Sequence, residues 1–314
     1  MQRWKTCSLL ALLATAAVSP AAANDTAAND TGESRQFLRV RRDAENQPIA
    51  LETPVFRYVP KGDERQNVIV DLVGAIHVGD KAYYDRLNTL FTEYDAVLYE
   101  LVAPPEARVP TTGRQRLNLL TSAQLMMKGL LDLEFQLDCV DYAQKNFVHA
   151  DLSPAEFRSR MNERGESFVQ MFFRLLSDSM TVQSKHPFAA GETAFLAALI
   201  SKNRAYQLKR LLAKQFADNV AQPSSMDGPA GSTIISERNK RAMDVLAKQL
   251  RSGSNRIAIF YGAAHLRDMD KRLDTDFHFK RSRTTWITAW DLTLKTSRKT
   301  PSGQPSTSQD DDPF

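Results

Sequence analysis

Cysteine is almost missing from this chain: 314 residues contain two. Cys7 falls in an N-terminal apolar segment, so Cys139 stands alone in the body of the sequence. No internal disulfide can form there, and the fold must rest on its core. Cys139 sits among apolar neighbours, a setting that suits packing better than nucleophilic attack. Long apolar runs are also lacking. The stretch Ser8 to Val18 is too short to span a bilayer comfortably, and no other is long enough. Charge of one sign is lacking too: 41 Lys and Arg face 37 Asp and Glu, for a net +4. No basic patch alternates with aromatics, which excludes nucleic acid as a partner.

What the N-terminus does contain has a purpose. Arg3 and Lys5 precede the apolar run, and Ala21-Ala22-Ala23 offers a small-residue exit before Asn24. This is the pattern of a cleaved signal peptide over residues 1–23, and it predicts a secreted or periplasmic protein. No cysteine stands at the exit, so a lipid anchor is not indicated. Residues 24–35 are polar and predict a disordered linker, with Asn24 and Asn29 as formal glycosylation acceptors. Residues 295–314, rich in Ser, Thr and Pro and closing on Asp310-Asp311-Asp312, predict a disordered tail. About 260 residues remain between them, enough for one large core.

Within that body, Phe37 to Arg42 and Ile49 to Val59 alternate apolar and polar residues and predict an antiparallel hairpin at the sheet's N-terminal edge. Val68 to Gly74 is nearly all apolar, as a strand covered on both faces should be. Tyr84, Leu87, Leu90 and Phe91 recur at helical spacing, and Ala96 to Leu101 is the next strand. A strand, helix and strand in that order make a parallel unit. Residues from about 106 to 232 predict a helical insertion, with a short strand at Phe147 to Asp151 and a helix opening at Ser153-Pro154. Leu208, Leu211, Leu212 and Phe216 mark one amphipathic face there. After the insertion come a helix from Ser236 to about Leu250, a strand at Arg256 to Tyr261, a short helix and a last strand at Thr284 to Trp290. The fold class predicted is α/β, with a mainly parallel sheet over 36–294.

One phrase occurs twice. Ile69-Val70-Asp71-Leu72-Val73-Gly74-Ala75-Ile76-His77 and Ile257-Ala258-Ile259-Phe260-Tyr261-Gly262-Ala263-Ala264-His265 are each an apolar strand that breaks at glycine and reaches a histidine. Asp80 and Asp268, three residues past each histidine, are placed to cap the helix that follows. Glycine suits a sharp turn or a close neighbour. In a parallel sheet the carboxyl ends of the strands line the ligand crevice, so both imidazoles belong there. Glu100 ends the strand after the first unit and reaches the same edge. Arg238, in the first turn of its helix, shares a stripe with Ala242, Val245 and Leu246 and faces the sheet, where it can bind a substrate carboxylate or a developing oxyanion. Asn239 adds a donor beside it.

Two histidines, a carboxylate and an open position suit a hydrolytic divalent metal, Mn, Co or Zn. Glu100 can alternatively act as general base, with His77 and His265 holding the ion or sharing acid-base duty. His149 and Asp151 occur in a single unrepeated context and predict a supporting role, while His186 and His278 lie in polar loops.

At these residues the chain resembles the TraB/GumN/PrgY family, which includes the Tiki proteases. The resemblance rests on Gly74-Ala75-Ile76-His77, Glu100, Arg238-Asn239 and Gly262-Ala263-Ala264-His265, in that order. Leu133 to Asp138 and Asp141-Tyr142 also resemble a helical signature between the halves. It implies a fold akin to the ChaN and erythromycin-esterase group and a metal-dependent peptidase with a peptide or small-molecule substrate. Two other functions remain open at this point: a metal-free esterase-like hydrolase, and a module that binds a peptide or haem-like ligand without turnover. The oligomeric state is not set by the sequence.

Overall fold

The computed structural model describes residues 36–62, 67–104, 131–165, 197–221 and 233–294. The predicted signal peptide, linker and tail, and much of the predicted helical insertion (residues 106–130, 166–196 and 222–232), lie outside the described residues. So does His186.

The described strands are β1 (Arg39–Arg42), β2 (Pro48–Pro60), β3 (Ile69–Ala75), β4 (Val78–Gly79), β5 (Ala96–Tyr99), β6 (Glu134–Phe135), β7 (Phe147–His149), β8 (Arg256–Gly262) and β9 (Phe279–Asp291). The helices are α1 (Lys81–Phe91), α2 (Gln136–Cys139), α3 (Pro154–Glu163), α4 (Arg204–Ala221), α5 (Arg238–Arg251) and α6 (Leu266–Thr275). The architecture is α/β, with a mixed seven-stranded sheet. Its parallel half runs β3-β8-β5-β7. Its antiparallel half is built on β2, which pairs with β1 and β3 along one edge and with β9 along the other. The hairpin predicted at the margin is therefore only half marginal. β2 is thirteen residues long, and its apolar outer edge is covered by the returning β9.

Strand β8 shows why the parallel half forms. Ile257, Ile259 and Tyr261 pack on one face with Ala242, Leu246, Leu266 and Met269 from α5 and α6. Ala258 and Phe260 pack on the other with Tyr83, Tyr84, Leu87 and Phe91 from α1. Side chains alternate across a strand, so a run buried on both sides must be apolar throughout, and all five of these residues are buried. Burying each large side chain contributes roughly 1.5–3 kcal/mol. α1 presents Tyr84, Leu87 and Phe91 at helical spacing, as expected, with Leu90 only partly buried. β7, within the segment expected to be an insertion, joins the main sheet beside β5. Ser153 caps α3 through a reciprocal bond pair with Glu156, and Pro154 follows at the first helical position. α4 packs Leu208 and Ala213 into the core beside Phe216, while Leu211 stays exposed.

Two expected helix starts differ, and at a third the start holds but the expected cap bond is absent. Asp80 occupies the cap position of α1 but makes no cap bond, and its carboxylate instead takes the Lys209 ammonium at 3.0 Å. Asp268 lies inside α6, because a turn of 3-10 helix, Ala263–His265, brings the chain in already helical. No extended residue is left for a cap to act from. A wide turn over Thr233–Glu237 likewise runs straight into α5, so the start expected at Ser236 falls inside that turn.

Candidate active site

β8 lies between β3 and β5, and all three run in the same direction. Gly74 pairs with Tyr261 and Ala75 with Gly262, so the two Gly-x-x-His segments leave the sheet side by side, one residue out of step. Tyr99 pairs with Phe260, and the Glu100 amide donates to the Phe260 carbonyl at 3.2 Å. His77, His265 and Glu100 thus follow three adjacent strands at their carboxyl ends, where such sheets bind ligands.

The first segment is pinned from below. Tyr83 donates to the Gly74 carbonyl and Tyr84 to the Ile76 carbonyl, each at 3.1 Å, which satisfies buried backbone acceptors. Beyond His77, β4 pairs with β6, and the Gln136 amide donates to the His77 carbonyl at 2.8 Å. The Gln136 side-chain oxygen lies 3.1 Å from Nδ1 of the His77 ring. His77 is half-buried.

The second segment is drier. His265 is 4% exposed and packs edge-on to Tyr261 at 5.2 Å. Asn239, fully buried, donates from Nδ2 to the His265 carbonyl at 3.2 Å and to Asp268 at 2.8 Å. Both acceptors are oxygens without hydrogen, so the amide orientation is fixed and Oδ1 faces Nδ1 of His265 at 2.6 Å. Nδ1 must then carry the hydrogen, and Nε2 keeps its lone pair. That Nε2 lies 3.5 Å from Glu100 Oε1. Burial lowers the His265 pKa to about 4, with Arg238 adding to the shift and Glu100 opposing it, so the ring is neutral near pH 7. Asn239 therefore holds the histidine in place, and its amide hydrogens are engaged within the protein.

Glu100 is gripped on both oxygens. Arg238 donates to Oε1 at 2.7 Å, and the Gly262 amide donates to Oε2 at 2.7 Å. Burial works to raise the carboxyl pKa. The Arg238 guanidinium, the two imidazoles and the Gly262 amide more than offset it, leaving the group ionised well below the usual carboxylate range. Gly262 has an ordinary backbone conformation, so its glycine serves close approach rather than a sharp turn: an added Cβ would lie 3.2 Å from Glu100 Oε2. Arg238 faces the sheet as expected, but its Nε and Nη2 also bond Asp151, at 2.9 and 2.6 Å. Two carboxylates hold the guanidinium charged against the desolvation of its site. Glu237 pairs with Arg164 and Lys240 instead. His149 Nε2 donates to the Leu101 carbonyl at 2.7 Å, and His278 is exposed.

Sequence reasoning singled out His77, His265, Glu100, Arg238 and Asn239, and the structure brings all five to one edge of the sheet. It left Gln136 without a role and gave Asp151 only a supporting one. Gln136 falls within Leu133 to Asp138, a stretch quoted for the family resemblance, and nothing local in that stretch marks its contact with His77. Among the described residues, no group of three His, Cys, Asp or Glu side chains stands ready around one point. The donors fit an ion pairwise: two ligands held about 2.1 Å from a tetrahedral centre sit about 3.4 Å apart, close to the His265–Glu100 separation of 3.5 Å. A separate cleft of about 490 Å³ lies between α1 and the antiparallel half of the sheet, lined by Arg57, Asp71, Arg86 and Arg283 among others, and none of the five residues reaches it. No helix among the described residues is long and apolar enough to cross a membrane. No protein-family profile, curated protein or solved structure matches the chain.

Proposed function

We propose that this edge is the active site of an exported metal-dependent hydrolase, with a peptide as the favoured substrate. The observation that carries the reading is the pairing of an ionised Glu100 with a neutral His265 whose Nε2 lone pair faces it at 3.5 Å. Nε2 of His265, Glu100 and the His77 ring would hold a divalent ion, Mn, Co or Zn. When bound, such an ion polarises a carbonyl and brings the pKa of a water toward neutrality. The chain's own residues do the rest. Arg238 keeps Glu100 charged and fixed, Asn239 sets the ring orientation of His265, and Asp151 keeps Arg238 in place. The repeated strand and Gly-x-x-His units, and the likeness to the TraB/GumN/PrgY family, support the same reading.

A second reading rests on the 2.7 Å contact between Arg238 and Glu100. A carboxylate already committed to a guanidinium can orient His265 as a general base without an ion, giving a metal-free hydrolase. Elemental analysis of the purified chain beside its His265→Ala variant separates the two. One divalent ion per chain, lost in the variant together with peptide hydrolysis, is expected. Full hydrolysis after exhaustive chelation would refute metal dependence, and binding with no turnover across a peptide library would refute the hydrolase.

A further inference from the structure

We propose that Gln136 is a positioning residue for His77, fixing the tautomer of the first histidine as Asn239 fixes that of the second. The inference rests on the proposed role of His77 at the active site. Gln136 is 5% exposed, and a buried side-chain amide with an unmet polar atom is destabilising. Leucine would fill the same space without that demand. The amide is met at both ends: Nε2 donates to the Tyr142 hydroxyl at 2.8 Å, and Oε1 lies 3.1 Å from His77 Nδ1. With the oxygen end on the imidazole, Nδ1 carries the hydrogen and Nε2 keeps the lone pair. The backbone joins in, since the Gln136 amide bonds the His77 carbonyl and the β4–β6 pairing locks the two segments together.

The two histidines reach this state by different routes. Asn239 comes from the first turn of α5, 26 residues before His265, whereas Gln136 opens the four-residue α2, 59 residues after His77. The two helices differ in length, 14 residues against 4, and in their position along the chain. Their common feature is an amide oxygen on Nδ1 of a Gly-x-x-His histidine. Two unrelated elements supplying one chemical contact point to one demand, an unprotonated Nε2 on each ring. Outer contacts of this kind set which nitrogen a ring offers to a metal or a proton.

Tyr142 can donate or accept, so a reversed Gln136 amide would satisfy it equally and place the hydrogen on Nε2 of His77. The tautomer is therefore the quantity to measure. Ring ¹⁵N spectra of the full chain labelled at histidine, with His77 assigned by loss of its signals in His77→Ala, read it directly. Near neutral pH the wild type is expected to show a protonated Nδ1 and a bare Nε2 at His77. Gln136→Leu is expected to move the hydrogen toward Nε2, and Gln136→Glu, which keeps an acceptor, to restore it. Unchanged His265 signals in the same spectra report an intact fold. A wild-type His77 protonated at Nε2, or a tautomer indifferent to Gln136→Leu, would overturn the assignment. Because the measurement needs neither metal nor substrate, it can succeed where the hydrolase reading fails.

Discussion

The two Gly-x-x-His segments share one sequence pattern and differ in setting. His265 is sealed against Tyr261 and bonded to a fully buried asparagine, and its helix follows without a break. His77 is half-buried and leaves the sheet into a two-residue strand, and its helix begins only after Asp80. Desolvation lowers the pKa of the His265 ring to about 4. One phrase therefore yields one dry, fixed imidazole and one wetter imidazole. The local sequence sets the direction in which each ring leaves the sheet; the elements packed around it set its electrostatics.

The severest way to break the comparison is to remove what holds the shared carboxylate. Arg238→Ala leaves Glu100 and Asp151 buried without their guanidinium, and breaking a buried pair from one side costs roughly 3–5 kcal/mol. Urea midpoints should fall accordingly, and a loss below about 1 kcal/mol would mean the network is a surface feature. Next come the histidines themselves. His265→Ala opens a cavity and strands the Asn239 oxygen, so a loss of about 3 kcal/mol is expected. His77→Ala, at a half-buried site, strands the Gln136 oxygen but opens a smaller cavity, so a lesser loss of about 1–2 kcal/mol is expected. Equal losses would erase the distinction between a dry and a wet ring.

Acid sharpens the same contrast. In the folded chain His265 stays neutral down to about pH 4, while the unfolded ring takes up a proton near 6.5. Between those values the unfolded state binds more protons, so stability is complete above about 6.5 and is lost as the pH falls toward 4. Glu100, whose folded pKa is also depressed, adds a loss in the same direction once the pH drops below the ordinary carboxylate value. The His265 contribution is on the order of 2–3 kcal/mol. Denaturant titrations of the chelator-treated chain across this range should show the decline, and His265→Phe should flatten its upper part. A wild-type profile flat from neutral pH to 4.5 would contradict a desolvated ring.

Much of the site was legible because strands announce their ends. β3 and β8 are largely apolar and carry a glycine at or next to their last residue, Glu100 directly follows β5, and Arg238 shares a helical stripe with residues that bury themselves. The supporting contacts were not legible, since they join residues that only packing brings together. Gln136 meets His77 through a two-residue strand pair too short to leave a periodic trace. Asp151 meets Arg238 across 87 residues. Asp80 and Asp268 have the residue type and spacing of helix caps. Lys209 takes one, and Asn239 with Arg272 takes the other, because a charged or buried partner outcompetes a local backbone bond. That β8 inserts between β3 and β5 is likewise a matter of topology, which no local pattern encodes.

The two glycines offer the finest test. A Cβ on Gly74 would come within 2.9 Å of Pro54 Cδ and 3.1 Å of Leu266 Cδ2, so the strain falls on the packing between β2 and α6. Overpacking of this kind costs about 1–3 kcal/mol. A Cβ on Gly262 meets instead the Glu100 carboxylate at 3.2 Å and the His265 ring at 3.9 Å, so the strain falls on the site. Gly74→Ala is thus expected to lower the unfolding midpoint while leaving the His265 ring signals in place. Gly262→Ala should shift those signals with a smaller change in stability, since a carboxylate displaced by a few tenths of an ångström weakens its contacts without opening the core. The opposite pattern would mean that the glycine of the second segment serves the fold and that of the first serves the chemistry.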